Sequence, residues 1–138
     1  MQQHNFNVFK KSFDLSGKTV TMETGKMAKQ ANGAVVITCE KTVLLCTAVM
    51  GKLGKEMTDF FPLTVDYIEK MYASGKVPGG FFKREAKPST DATLISRLID
   101  RVIRPTFPDG FRNPVHIVVS PLAYDGENDL ASLAIIGA

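Results

Sequence analysis

Three observations predict a two-layer α/β (α+β) domain, a mixed sheet packed by helices. Four or five short β-patterned runs come first, between residues 6 and 72. A single amphipathic run with helix-cap chemistry follows at residues 89–104, then one more apolar strand and the start of a second helix. The chain has 138 residues, 44% of them hydrophobic, which supports one domain with its own core. A chain of that size buries roughly 70% of its unfolded surface, so neither disulfides nor a structural metal are required.

The strands are read in order. Phe6 to Phe13 alternates loosely, and Lys18 to Thr24 (KTVTMET) alternates clearly, with Ser16-Gly17 as a turn signal between them. Gly33 to Cys39 and Thr42 to Met50 are nearly continuous in apolar residues, as strands inside a covered sheet are. If Glu40 and Lys41 form the hairpin tip, Cys46 lies opposite Val35 and not Cys39, so the two thiols stay free and buried. A polar loop, Gly51 to Thr58, leads to an expected strand over Phe61 to Tyr72, with Leu63, Val65, Tyr67 and Ile68 on its apolar side.

Ser74 to Pro88 reads as a long loop, of a length that is usually functional in a compact domain. Ser89-Thr90-Asp91 supplies the cap of a helix whose buried stripe is expected at Leu94, Ile95, Leu98, Ile99 and Val102. Arg97, Arg101 and Arg104 share another face of that helix, and Pro105 with Pro108-Asp109-Gly110 ends it. Val115 to Leu122 is the last strand, and Asp125 to Asp129 opens a second helix with interior Leu130 to Ile136. Apolar residues are still accumulating at Ala138, so residues 1–138 read as the front part of a longer chain. There is no internal repeat or low-complexity segment.

Several function classes are excluded. With Gly 11 and Pro 7, collagen-like and disordered readings fail. No run approaches the ~18 apolar residues of a membrane helix, and MQQHNFNVFKK contains no signal-peptide stretch, so the expectation is a cytoplasmic chain with no membrane partner. His4 and His116 show no partner in the sequence, and the two cysteines lack metal-ligand spacing, so no metal site is assigned. Gly17-Lys18-Thr19 is not a phosphate loop: position 12 is Ser12, and a strand follows instead of a helix. Asp66 and Glu69, three apart in a strand, point to opposite faces and read as solvent-facing charges rather than an acid–base pair.

Net charge is only +3, but it is uneven. Residues 76–104 hold seven cations against Glu85, Asp91 and Asp100, a net +4, which leaves −1 for the remainder. A local anionic partner and a solvated loop-and-helix face fit this equally. Within that segment, Gly79-Gly80-Phe81-Phe82-Lys83-Arg84-Glu85-Ala86-Lys87-Pro88 combines close backbone approach, flat stacking surfaces and cations. Single-stranded nucleic acid needs that combination, because every base has a face and every linkage a charge. Phe81 and Phe82 plugging the core under a solvated loop is the equal alternative.

The stretches ETGKMAKQANGAV (23–35), DFFPLTVDYIEKMYASGKVPGGFFKRE (59–85) and LISRLIDRVIRPTFPDGF (94–111) resemble the polynucleotide phosphorylase (polyribonucleotide nucleotidyltransferase) family, specifically its first RNase PH-like core. The likeness runs from about Phe13 to the end, with the three motifs in family order. It implies an RNase PH-like domain truncated before its second half, from a phosphate-dependent 3′→5′ exoribonuclease that releases nucleoside diphosphates reversibly. It further implies a homotrimeric ring around single-stranded RNA, inorganic phosphate as co-substrate, and Mg2+ held outside this chain.

By resemblance, Phe81, Phe82, Lys83 and Arg84 match a loop that grips RNA, with Lys83 where Arg is usual; Lys87 likewise replaces Arg, and Ala86 a Gly. Lysine keeps the charge and loses the bidentate fork. Arg97, Arg101 and Arg104 extend the track. The family's serine run and catalytic aspartates have no match in residues 1–138, so no catalytic residue is expected here. The alternative is a non-catalytic RNA-binding or ring-forming subunit of an exosome-like complex. A small-molecule kinase fits poorly, since two phenylalanines and cations follow Gly79-Gly80 where a phosphate-cradling loop would be needed.

Overall fold

The computed structural model describes residues 7–53, 59–79, 85 and 87–138. Its elements are β1 (Phe9–Leu15), β2 (Lys18–Thr24), β3 (Gly33–Cys39), β4 (Thr42–Met50), β5 (Leu63–Tyr67), α1 (Thr90–Ile103), β6 (Val115–Ala123) and α2 (Leu130–Gly137). They form one six-stranded sheet in the order β1-β2-β3-β4-β6-β5 under two helices.

The first four strands form a meander set by turn chemistry. Ser16 and Gly17 both have positive φ, the geometry of a two-residue hairpin whose twist suits its strands, and Leu15 pairs Lys18. Glu40 takes a left-handed conformation at the next tip, where Cys39 pairs Thr42 and Val35 pairs Cys46. The thiols are therefore free and buried, as the register argument expects.

The mixed character comes from β5. It does not join β4 but lies beyond β6 and runs parallel to it, with α1 in the crossover. Packing buries Val20, Ile37, Leu44 and Val119 beneath the helices, and α2 sits on β3, β4 and β6 while α1 covers β5. The opposite sheet face is more polar, carrying Thr38, Thr47, Thr64, Asp66 and His116. Phe61, Phe107 and Phe111 close the open end of the layer, with ring centroids 4.6 to 5.4 Å apart.

Four expectations are corrected. The first strand is Phe9–Leu15, and Phe6 lies outside the described residues. The strand expected over Phe61 to Tyr72 stops at Tyr67, and Met71–Ser74 is a 3-10 turn. Left-handed Gly75 ends that turn by donating its N–H to the Tyr72 carbonyl, so the helix-compatible MYAS wins over strand extension. Asp125 to Asp129 is not helical: the Asp125 carboxylate accepts from the Glu127 and Asn128 amides, and Asp129 is the N-cap of a helix that starts at Leu130.

The fourth correction concerns the face of α1. Leu94, Leu98 and Val102 are 55%, 45% and 46% exposed, whereas Ala92 and Ile99 are buried, with Ile95, Ser96 and Ile103 partly so. The helix covers a single edge strand, and small Ala92 and Ser96 let it approach closely. That rotates the large residues outward. The hydroxyl of Ser96 accepts the Tyr67 amide at 2.9 Å, fixing this rotation.

Candidate nucleic-acid interface

The expected RNA-binding residues come from the loop before α1 and from α1 itself. Phe81, Phe82, Lys83 and Arg84 lie outside the described residues. Lys87, Arg97, Arg101 and Arg104 are described, and all four are exposed.

The helix places its arginines in different surroundings. Arg104 is the C-cap of α1, and its guanidinium donates to Asp100 at 2.6 Å and to the Phe61 carbonyl at 2.9 Å. It also stands over the Phe61 ring at 5.7 Å from the centroid. This arginine is spent on the fold. Arg97 and Arg101, one turn apart, form no ion pair among the described residues, and neither does Lys87.

Arg97 and Lys87 line a cleft of about 910 Å³ between the C-terminal end of β5, the 3-10 turn and the start of α1. Apolar Ile68, Met71, Pro78 and Pro88 supply much of its wall. Its carboxylates are each engaged. Asp66 pairs with His116 at 2.8 Å, Glu69 accepts from the Ser89 hydroxyl at 3.1 Å, and Glu85 accepts from the Met71 amide at 2.6 Å. Positive charge is left uncommitted on an apolar wall. Such a surface suits a nucleotide, whose base seeks burial and whose phosphate seeks a cation.

Asp66 and Glu69 go to different partners and do not form an acid–base pair. His116, which has no partner visible in the sequence, finds Asp66 because β5 pairs parallel to β6. Sequence reasoning missed Glu69 and Glu85 as structural contacts, treating the first as a strand charge and the second as one member of a charge count. The signal available for Glu69 was its distance of twenty residues from a helix-capping serine, which only tertiary folding makes meaningful.

A second polar cluster ties the far side of the sheet. Buried Asn128 donates to the Cys39 carbonyl and accepts from Lys18 Nζ at 2.8 Å. Backbone N–H donors hold the Asp125 carboxyl below its usual range, chiefly that of Glu127. Burial pushes the Cys46 thiol up to about 12 and also raises Cys39, whereas the Ser132 hydroxyl lowers Asp129. No group of three or more His, Cys, Asp and Glu side chains converges among the described residues in a way that could hold a metal ion. No helix among them is long and apolar enough to cross a membrane.

Comparison with known proteins adds the following. The model of the 3′ exoribonuclease family, domain 1 (RNase_PH), matches residues 16–138. A polyribonucleotide nucleotidyltransferase from Granulibacter bethesdensis is 56% identical over 132 residues, 96% of this chain and 18% of that protein. One from Roseiflexus castenholzii is 58% identical over 127 residues, 92% of this chain and 17% of that protein. The chain thus spans about a fifth of the length of the curated relatives it matches. Among solved structures, rice (Oryza sativa) Rrp46 superposes with a TM-score of 0.58 at 12% identity, over 86% of this chain and 52% of that one. That likeness is one of fold.

Proposed function

This chain belongs to the 3′ exoribonuclease family, in its domain 1, and from that premise we propose that it is the RNA-guiding core of a phosphorolytic 3′→5′ exoribonuclease. The observation that carries this reading is the 56% identity, across nearly the whole chain, to a polyribonucleotide nucleotidyltransferase. The relatives' shared name favours a part of an enzyme over a non-catalytic exosome-like subunit.

In the proposed division of labour, phosphate attack on the terminal RNA linkage happens elsewhere in a longer protein, and residues 1–138 deliver the strand. Phe81 and Phe82 stack on bases, while Lys83, Arg84 and Lys87 pair with phosphates. Arg97 and Arg101 continue the cationic track along α1, and Arg104 holds the C-terminal end of that helix to the Phe61 and Leu63 carbonyls. Lysine at 83 and 87 acts as a point charge, so the grip tolerates different backbone geometries. A cytoplasmic homotrimer, with phosphate as co-substrate, completes the proposal. Magnesium would steady charge on the transferring phosphoryl group when bound. The described residues do not fit that ion, and no step here passes through it.

The test uses fluorescence anisotropy with a labelled oligo(A) and a duplex of equal length, followed by incubation of the chain with poly(A) and phosphate. The proposal expects preference for the single strand and no nucleoside diphosphate. Equal affinity for both would defeat the guiding role, and nucleoside diphosphate from nuclease-free material would defeat the assignment of catalysis elsewhere.

A further inference from the structure

The two edges of the sheet are treated differently. At β5 the Arg104 guanidinium donates to the Phe61 and Leu63 carbonyls. At the other end β1 pairs β2 on one side and has no neighbour on its other side among the described residues. Which of its groups face outward follows from the turn. Leu15 and Lys18 flank the two-residue Ser16-Gly17 hairpin loop, so they exchange both main-chain bonds, and by alternation Phe13, Lys11 and Phe9 do the same with their own partners. Lys10, Ser12 and Asp14 therefore turn their N–H and C=O groups away from β2, and all three residues are exposed.

We infer that this edge takes a second copy of the chain, β1 against β1 in antiparallel, about a two-fold axis through Ser12. The order of Lys10, Ser12 and Asp14 is self-complementary in that register. Lys10 meets Asp14 of the second copy, Asp14 meets its Lys10, and the serines meet each other, every pair exchanging both main-chain bonds. Moving the axis two residues either way sets Lys10 against Lys10 or Asp14 against Asp14, so charge selects the register. A lysine on an edge strand ordinarily discourages pairing, but here a carboxylate stands opposite it. Asp14 Oδ1 accepts the Gly17 amide at 3.1 Å, and the second carboxylate oxygen is left for that lysine. On the other face, Phe9 and Leu15, 70% and 39% exposed, cover each other across the axis.

This pairing goes beyond the RNA-guiding reading and stands without it. A self-paired edge is isologous, giving a dimer alone and a closed dihedral assembly when combined with a three-fold ring. One pair of seven-residue strands is a small interface, so association is weak and concentration-dependent. Lys10→Glu sets like charges opposite at both ends of the pairing, and Asp14→Lys does the same with the other sign. Each should weaken association about tenfold. Mixed in equal amounts, the two variants should regain it, because one copy then supplies both acids and the other both lysines.

Sedimentation equilibrium over a concentration series, on wild type, each variant and the mixture, tests this. Amide exchange is recorded by NMR for wild type at low and high concentration. Association of wild type and of the mixture, with each single variant weaker, upholds the paired edge. So does protection that rises with concentration at Lys10, Ser12 and Asp14, while Phe9, Lys11 and Phe13 stay protected throughout. A wild type that is monomeric at every concentration overturns it and leaves the edge to a strand of another sequence. A mixture that associates no more tightly than its components, with both folded by circular dichroism, also overturns it. If either substitution unfolds the hairpin, wild-type exchange decides: slowing at the three outward amides upholds the pairing, and unchanged exchange overturns it.

Discussion

The Arg104 guanidinium donates to the Phe61 carbonyl at 2.9 Å and reaches the Leu63 carbonyl at 3.4 Å, closing the free edge of β5 from the C-terminal end of α1. Pro62 between them turns its carbonyl inward to the Val115 amide, so these two carbonyls are the outward ones. Ser96, eight residues before Arg104, holds the Tyr67 amide, so α1 has two grips on one strand edge separated by just over two turns. An edge strand without such cover would offer unpaired groups to other chains.

Arg104→Ala should therefore act on stability first. Loss of charge-assisted bonds to two carbonyls and to Asp100 is expected to cost about 1–2 kcal/mol, and Arg104→Lys should recover only part of it. Chemical denaturation of the three proteins checks this. An Arg104→Ala protein with wild-type stability but weakened RNA binding would return Arg104 to the RNA track.

Packing between α2 and the sheet depends on the absence of a side chain at Gly137. A Cβ there would stand 2.4 Å from Cys46 Sγ and 3.4 Å from Ile37 Cγ2. Gly137→Ala is expected to destabilise by about 1–3 kcal/mol through overpacking. Cys46→Ala removes the sulfur and should suppress much of that loss in the double variant. A double-mutant cycle with no coupling between the two positions would refute the contact.

Cys46 also fixes a pH dependence. Its folded-state value is raised by burial to about 12, from an ordinary thiol value near 9. The unfolded chain loses this proton first, so the stabilising contribution is complete below the ordinary value and declines as pH rises toward the folded one. Stability should fall on raising the pH above about 9, and less steeply in Cys46→Ala. Thiol-reactive dye at pH 8 should label Cys46 only as fast as the protein opens. Rapid labelling of the folded chain would contradict its burial.

Local chemistry made much of the fold legible. Ser16-Gly17, the Glu40-Lys41 tip and the Ser89 cap each act through neighbouring residues, and each lies where the sequence places it. The polynucleotide phosphorylase motifs indicated the RNase PH-like fold and its family. Four features depended on distant partners and stayed hidden. β5 lies beyond β6 because the crossover through α1 carries the chain there. Leu94, Leu98 and Val102 face outward because Ser96 and Arg104 fix the rotation of α1. His116 meets Asp66, and Glu85 meets Met71, through pairings made across the sheet and the loop. At the interface, the sequence marked Lys87, Arg97 and Arg101 as a cationic group, and it could not tell that Arg104 is committed to β5.

The most direct measurement of the central claim is the salt dependence of oligo(A) binding by wild type and by the Lys83→Ala, Arg84→Ala, Lys87→Ala triple variant. Each phosphate contact on a single strand contributes about 0.7 to the slope of log K against log salt, so losing three should flatten it by about 2. A flatter slope with weaker binding is the predicted result. An unchanged slope would place the RNA contacts elsewhere and contradict the account.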